Sequence, residues 1–130
     1  MLIDPAVASA DLNGQPLIYT GCNVENASYG LTICAERCAI LSAVAAGYRK
    51  FDAIAVATDQ PEAFTFPCGA CLQVLAEFGD FPVFCVKPDG SHKQTRVREL
   101  LPFTFTKKDL MVVQQVKVNV TGAVDPTKQR

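Results

Sequence analysis

The sequence has a single histidine, no cluster of lysine or arginine, and a net charge of −1 over 130 residues, with a pI near 5.7. Those scarcities exclude an electrostatic footprint for nucleic acid and the basic, aromatic surface that single-strand binders use. No apolar run approaches the ~20 residues that a membrane span needs. Met1-Leu2-Ile3-Asp4-Pro5 offers neither a basic n-region nor a long apolar stretch, so no secretory leader and no membrane partner are expected. Asn119-Val120-Thr121 fits a glycosylation acceptor, which means little in a protein that is not exported. The one histidine, His92, stands beside a turn and far from every other candidate, and is excluded as a ligand. There are no internal repeats and no low-complexity tracts.

What is present is apolar: 49% of residues are hydrophobic, with a mean hydropathy of +0.18. A chain of this size buries a core without disulfide staples. A single domain over residues 1–112 is expected, followed by a C-terminal strand or tail over 113–130. Residues 6–20 read as two strands joined at Asn13-Gly14, a strong hairpin signal. Residues 21–33 lack periodicity and read as a loop. A helix follows from near Cys34 to Gly47, with Ala35, Ala39, Ile40, Ala43 and Val44 covering most of its sides. Ala53–Thr58 is a short apolar strand, buried on both faces if helices cover it. A second helix is expected from about Gly69 to Phe78, stopped by Gly79, then a strand over Pro82–Val86 and a turn at Pro88-Asp89-Gly90. Val97–Leu101 reads as a strand or a short helix. Thr106-Lys107-Lys108-Asp109 caps a last short helix, and the chain from Asn119 on is loosely held. This order gives an α/β or α+β three-layer domain with a mixed sheet and helices packed on it.

Six cysteines permit three disulfides, but their spacing favours metal. Cys34 opens one predicted helix, while Cys68 and Cys71 form Pro67-Cys68-Gly69-Ala70-Cys71 at the start of another. In a signal-free chain this points to a reducing, cytoplasmic compartment. Helix N-termini favour thiolates, and three thiolates can hold Zn²⁺ with the fourth position open to water, as in a catalytic rather than a structural site. The rival is a closed structural site in which Cys38 or Cys22 supplies a fourth sulfur. Otherwise Cys22, Cys38 and Cys85 read as packing residues.

Glu36, two residues after the first cysteine ligand, is the candidate for proton transfer between water and a ring nitrogen of an aromatic amidine. An arbitrary glutamate is a solvated surface residue. Its place between a candidate ligand and Arg37, in a buried helix, argues for the chemical role. Arg37 is the candidate counter-charge that hydrogen-bonds a ligand sulfur and offsets the thiolate charge.

The Cys-x-Glu and Pro-Cys-x-x-Cys pair matches the zinc deaminase signature with cysteine in place of histidine. Gly21-Cys22-Asn23-Val24-Glu25-Asn26-Ala27-Ser28-Tyr29-Gly30, Cys34-Ala35-Glu36-Arg37, Pro67 to Val74 and Glu99-Leu100-Leu101-Pro102 closely resemble the small all-cysteine cytidine deaminases, over roughly residues 7–112. The resemblance implies a five-stranded mixed sheet with helices on both faces, one zinc per subunit and a homotetramer. It implies hydrolysis of cytidine and 2′-deoxycytidine to the uridine products and ammonia, a pyrimidine-salvage reaction. It also implies that Asn23 and Glu25 hold the ribose 3′-hydroxyl and that the backbone of Ala35, with Glu36, recognises the cytosine edge. Ala27 and Tyr29 would contact the nucleoside of a neighbouring subunit, and Phe105 would stack on its base.

Members of that family begin with an additional helix and a Tyr-Ser-x-Phe stretch whose Phe packs against the base and ribose. Its place here falls near Pro5, and the helix is expected to be missing. Val7-Ala8-Ser9-Ala10 replaces Val-Gly-Ala-Ala, and Leu72 stands where many relatives carry arginine. The sequence also admits two other readings: deamination of a different aminopyrimidine nucleoside such as a nucleoside antibiotic, and a weakly active, zinc-stabilised binding subunit.

Overall fold

A computed structural model describes residues 6–12 and 15–115, with side chains from Leu17 to Met111. Strands β1 (Ala6–Leu12) and β2 (Gln15–Gly21) run antiparallel, with Leu12 opposite Gln15. The Asn13-Gly14 turn itself lies outside the described residues, as do Pro5 and the chain from residue 116 on. Strand β3 (Ala53–Ala57) pairs antiparallel with β1 and parallel with β4 (Pro82–Val86). A fifth strand, β5 (His92–Arg96), pairs antiparallel with β4 and completes the order β2-β1-β3-β4-β5.

The helices are α1 (Ala35–Ala45), α2 (Gly69–Ala76), the short α3 (Val97–Leu100) and α4 (Lys107–Gln115). The parallel β3–β4 pair requires a crossover, which α2 supplies. Val97–Leu100 takes the helical of its two expected forms, with Glu99 Oε2 accepting from Arg96 N–H at 3.1 Å. Helix α4 runs on to Gln115, so the expected boundary at 112 falls inside a helix.

Along β3 and β4 burial alternates. Ile54, Val56, Val83 and Cys85 are buried, while Ala53, Ala55, Ala57 and Phe84 are half-buried. The core gathers Ile54, Val83 and Cys85 with Ala39, Ile40, Ala43, Leu72, Leu75 and Val97. Phe51 closes one end, edge-on to Phe78 at 5.4 Å and tilted against Phe81 at 5.9 Å.

Helix α1 is more one-sided than its alanine-rich sequence suggests. Ala35, Ala39, Ile40 and Ala43 are buried, while Leu41, Ser42 and Ala45 face solvent. The alanines let α1 lie close to the β1–β2 hairpin, and Gly21 takes this to its limit. A Cβ there would collide with the backbone of Ala35, Cys38 and Ala39. The helix ends in a Schellman arrangement. Gly47, at φ 97°, donates to Val44 O at 3.0 Å, and Tyr48 N–H donates to Ala43 O at 3.0 Å. These two features fix where α1 lies and where it stops.

Strand β5 was not expected from sequence. His-Lys-Gln-Thr-Arg has one β-branched residue and no apolar alternation, and only pairing with β4 makes it a strand. Helix α4 is capped by the expected segment: Asp109 Oδ2 accepts from Thr106 N–H at 2.6 Å and from Thr106 Oγ1 at 2.8 Å.

Candidate active site

Cys34 and Cys68 occupy equivalent positions. Each is the N-cap residue of its helix, in extended conformation, and neither sulfur makes a capping hydrogen bond. Cys71 lies in the first turn of α2 and is buried. Because α1 and α2 pack against one another, the starts of the two helices bring the three sulfurs together. Cys34 Sγ lies 4.0 Å from Cys68 Sγ and Cys68 Sγ lies 3.5 Å from Cys71 Sγ. All three fall within 4.8 Å of one another. Tetrahedral zinc at about 2.3 Å from each sulfur would place them about 3.8 Å apart, so the donor set and its spacing fit that ion. Cys22 and Cys38 are outside the cluster, Cys22 exposed and Cys38 half-buried. Among the described residues the group has three sulfurs.

The thiols are not equivalent. Burial pushes Cys71 well above the usual thiol range, and the nearby charge of Glu36 adds to this. Burial opposes ionisation of Cys68 too. There, the favourable influence of the Cys71 and Ala70 amides at the start of α2 and of the two neighbouring thiols outweighs it, and its value falls.

Arg37 reaches back over the first turn of α1. Its Nη2 donates to Thr32 O at 3.1 Å and to Cys34 Sγ at 3.7 Å. The bond to Cys34 is the largest contribution holding the guanidinium above its ordinary value, while its buried Nε has no partner among the described residues. Glu36 is only 7% exposed, and no ion pair to it occurs among the described residues. A buried carboxylate without a cation is costly and rare in a protein surface or core. Its charge also adds to burial in raising Cys85 of β4.

The loop before α1 is folded rather than free. Val24 and Ile33 form a two-bond bridge, N–H to O at 2.8 and 3.0 Å. Inside it, Asn26 Oδ1 accepts from Ser28 N–H at 2.8 Å and Asn26 N–H donates to Thr32 Oγ1 at 3.2 Å. This bridge sets Asn23 over the start of α1, where its Oδ1 accepts from Ala35 N–H at 2.8 Å. Asn23 thereby caps the helix in place of Cys34, whose side chain is reserved for the cluster. In this arrangement the Ala35 amide is engaged by a side chain, and only the Asn23 NH₂ is left for another partner.

The remaining residues singled out from sequence stand apart. Glu25, Ala27, Tyr29 and Phe105 are exposed, Tyr29 by 89% and Phe105 by 57%. Phe105 lines a cavity of about 380 Å³ at the far end of α2, with Phe78, Arg98 and Lys108. None of the three clustered cysteines lines that cavity. Gln73 was not anticipated from sequence. Its Nε2 donates to Phe105 O at 2.7 Å and its Oε1 accepts from Phe105 N–H at 3.3 Å. A lone glutamine on a helix carries no sequence signal for a partner 32 residues away.

Comparison with known proteins bears on this geometry. Residues 4–87 match the family described as the cytidine and deoxycytidylate deaminase zinc-binding region. The chain is 51% identical over 105 residues to a probable cytidine deaminase of Dictyostelium discoideum, covering 81% of this chain and 71% of that one. It is 47% identical over 106 residues to the cytidine deaminase of Sporosarcina psychrophila, covering 80% and 77%. The crystal structure of cytidine deaminase from Burkholderia pseudomallei superposes with a TM-score of 0.69 at 43% identity, covering 79% of this chain and 82% of that one.

Proposed function

The chain belongs to the cytidine and deoxycytidylate deaminase family, and from that premise we propose that it hydrolyses cytidine and 2′-deoxycytidine to uridine and 2′-deoxyuridine, releasing ammonia. The observation that carries this reading is Glu36: a buried carboxylate with no cation partner among the described residues, in the first turn of the helix that begins at a clustered cysteine.

Zinc is the cofactor, one per subunit, and Cys34, Cys68 and Cys71 are the residues that would hold it. When bound it supplies Lewis acidity, which brings the pKa of water down to ~7. The chain's own part is proton movement and placement. Glu36 takes a proton from water and delivers it to N3 of cytosine, making C4 electrophilic. The hydroxide left behind bonds to C4, and Glu36 then takes the proton of that new C4 hydroxyl and passes it to the amine, so that the C4–N bond breaks, ammonia leaves, the C4 carbonyl forms and the carboxylate is restored. Arg37, donating to Cys34 Sγ, offsets part of the negative charge of three thiolates. Burial of Glu36 strengthens each of these proton transfers by excluding competing water.

Recognition follows from the loop before α1. With Asn23 Oδ1 committed to Ala35, the Asn23 NH₂ donates to the ribose 3′-hydroxyl and the Glu25 carboxylate accepts from it. Ala35 and Glu36 face the cytosine edge. Ala27, Tyr29 and Phe105 serve a neighbouring subunit's nucleoside in a homotetramer. Their exposure supports this, as does that of Phe103, which is 96% exposed. Six unpaired thiols suit a reducing, cytoplasmic setting. Among the described residues no helix is long and apolar enough to cross a membrane.

The test is loss of cytidine absorbance with the purified, zinc-loaded protein. Turnover is expected, with Glu36→Ala reducing it by at least about 10²-fold, the scale of a positioned acid–base group. No turnover by the intact chain, or equal turnover by Glu36→Ala, would overturn the proposal.

A further inference from the structure

We infer that Gln73 is a positioning residue: it holds Phe105 for contact with the nucleobase by bracketing both backbone polar groups of that residue. The inference rests on the reading of Phe105 as a base contact.

The segment between α3 and α4 has no ladder of its own. Leu101 N–H donates to Val97 O at 2.9 Å and Thr104 Oγ1 donates to Leu101 O at 2.7 Å, which fixes its start. Thr106 is tied to Asp109, which fixes the beginning of α4. Phe105 lies between these two knots, and its N–H and C=O both go to one side chain of α2. Among the described residues, the ion pair between the start of α4 and the end of α2 is the exposed Lys107–Glu77 contact at 2.9 Å, a kind of contact that holds little.

The chemistry of the bracket is specific. Accepting from an N–H and donating to a C=O on one residue requires a side chain with both functions, which an amide has and a carboxylate at neutral pH lacks. Gln73 is also two residues past Cys71 on the same helix. Two residues turn a helix by about 200°, so α2 presents Cys71 to the sulfur cluster and Gln73 to the Phe105 segment on nearly opposite sides. One rigid helix thus sets the metal ligand and the aromatic ring by separate side chains.

The experiment uses the full-length, zinc-loaded protein. Gln73→Leu is expected to raise KM for cytidine about tenfold, the effect of losing two partly exposed hydrogen bonds, with kcat within about twofold and zinc content unchanged. Gln73→Glu, which keeps the acceptor, is expected to fall between. Phe105→Ala should raise KM at least as much, and adding Gln73→Leu to it should raise KM no further. Because the chain has no tryptophan, Phe105→Trp gives a single fluorescent probe. Its anisotropy should fall and its acrylamide quenching rise when Gln73→Leu is added. Unchanged anisotropy and KM in Gln73→Leu, or equal KM effects of Gln73→Leu with and without Phe105, would overturn the inference. Loss of zinc from both Gln73 variants would also overturn it, since Gln73 would then act on α2 as a whole. Phe105→Ala with an unchanged KM would instead overturn the reading of Phe105, while the probe still reports on the bracket.

Discussion

Gly21→Ala inserts one methyl group where β2 meets α1, and every atom it would strike is backbone. A flexible side chain could swing away; the Ala35 carbonyl and the Ala39 amide belong to the helix ladder and cannot move without α1. The hairpin and the helix must therefore separate. That separation strips contact from Ala39 and Ala43, both fully buried. Overpacking of this kind costs roughly 1–3 kcal/mol, and an unyielding neighbour argues for the top of that range, about 3 kcal/mol. For a domain of this size that is a fall in Tm of roughly 10 °C. The control is Gly30→Ala, where a Cβ meets nothing within 4 Å and a change within about 0.5 kcal/mol is expected. Both variants and the parent would be melted at one protein concentration and with matched zinc, because subunit and metal binding shift Tm by mass action. The reasoning is refuted if Gly21→Ala melts with Gly30→Ala and the parent.

Three measurements test the rest of the site. In a zinc-content series, Glu36→Ala and Cys38→Ser should retain the metal and Cys68→Ala should lose it; release from Cys38→Ser would favour the closed four-sulfur arrangement. Asn23→Leu should destabilise the protein by about 1 kcal/mol through loss of the α1 cap in urea melts. Asn23→Asp, which keeps an acceptor at the positive end of the helix, should recover most of that stability; equal losses in both would show that the Ala35 bond is not the cause. Native mass measurement should give a tetramer, and a clean monomer would contradict nucleoside sites shared between neighbours.

Much of this molecule can be read along the chain because its signals are local. The Asn13-Gly14 pair announces the β1–β2 hairpin, Gly47 and Gly79 end helices, and the two cysteine motifs each start one. Helix α2 stops at Ala76, two residues before its expected end, within the fraying common to helix termini. What escapes is set by pairing in space. His92–Arg96 is a strand only because β4 lies beside it. Gly21 reads as an ordinary loop glycine until α1 is laid against it. Asn23 reads as a ligand-binding amide, and the structure adds a second duty at Ala35. Gln73 carries no signal at all, since both its partners are backbone atoms of a distant residue. The cysteine cluster was legible because helix starts place their first residues predictably. The supports around it were not, because each joins segments that only the fold brings together.

The placement of Cys34 and Cys68 as N-cap residues whose sulfurs make no capping hydrogen bond has a thermodynamic consequence. Serine or aspartate at those positions would secure each helix start from within its own turn. Here one start is secured by Asn23 and the other by no side chain among the described residues, so an ion spanning both caps would staple two helix beginnings at a single point. Metal affinity and the integrity of those two first turns then become one linked equilibrium. Each tenfold gain in affinity for the ion is about 1.4 kcal/mol withheld from the fraying of α1 and α2.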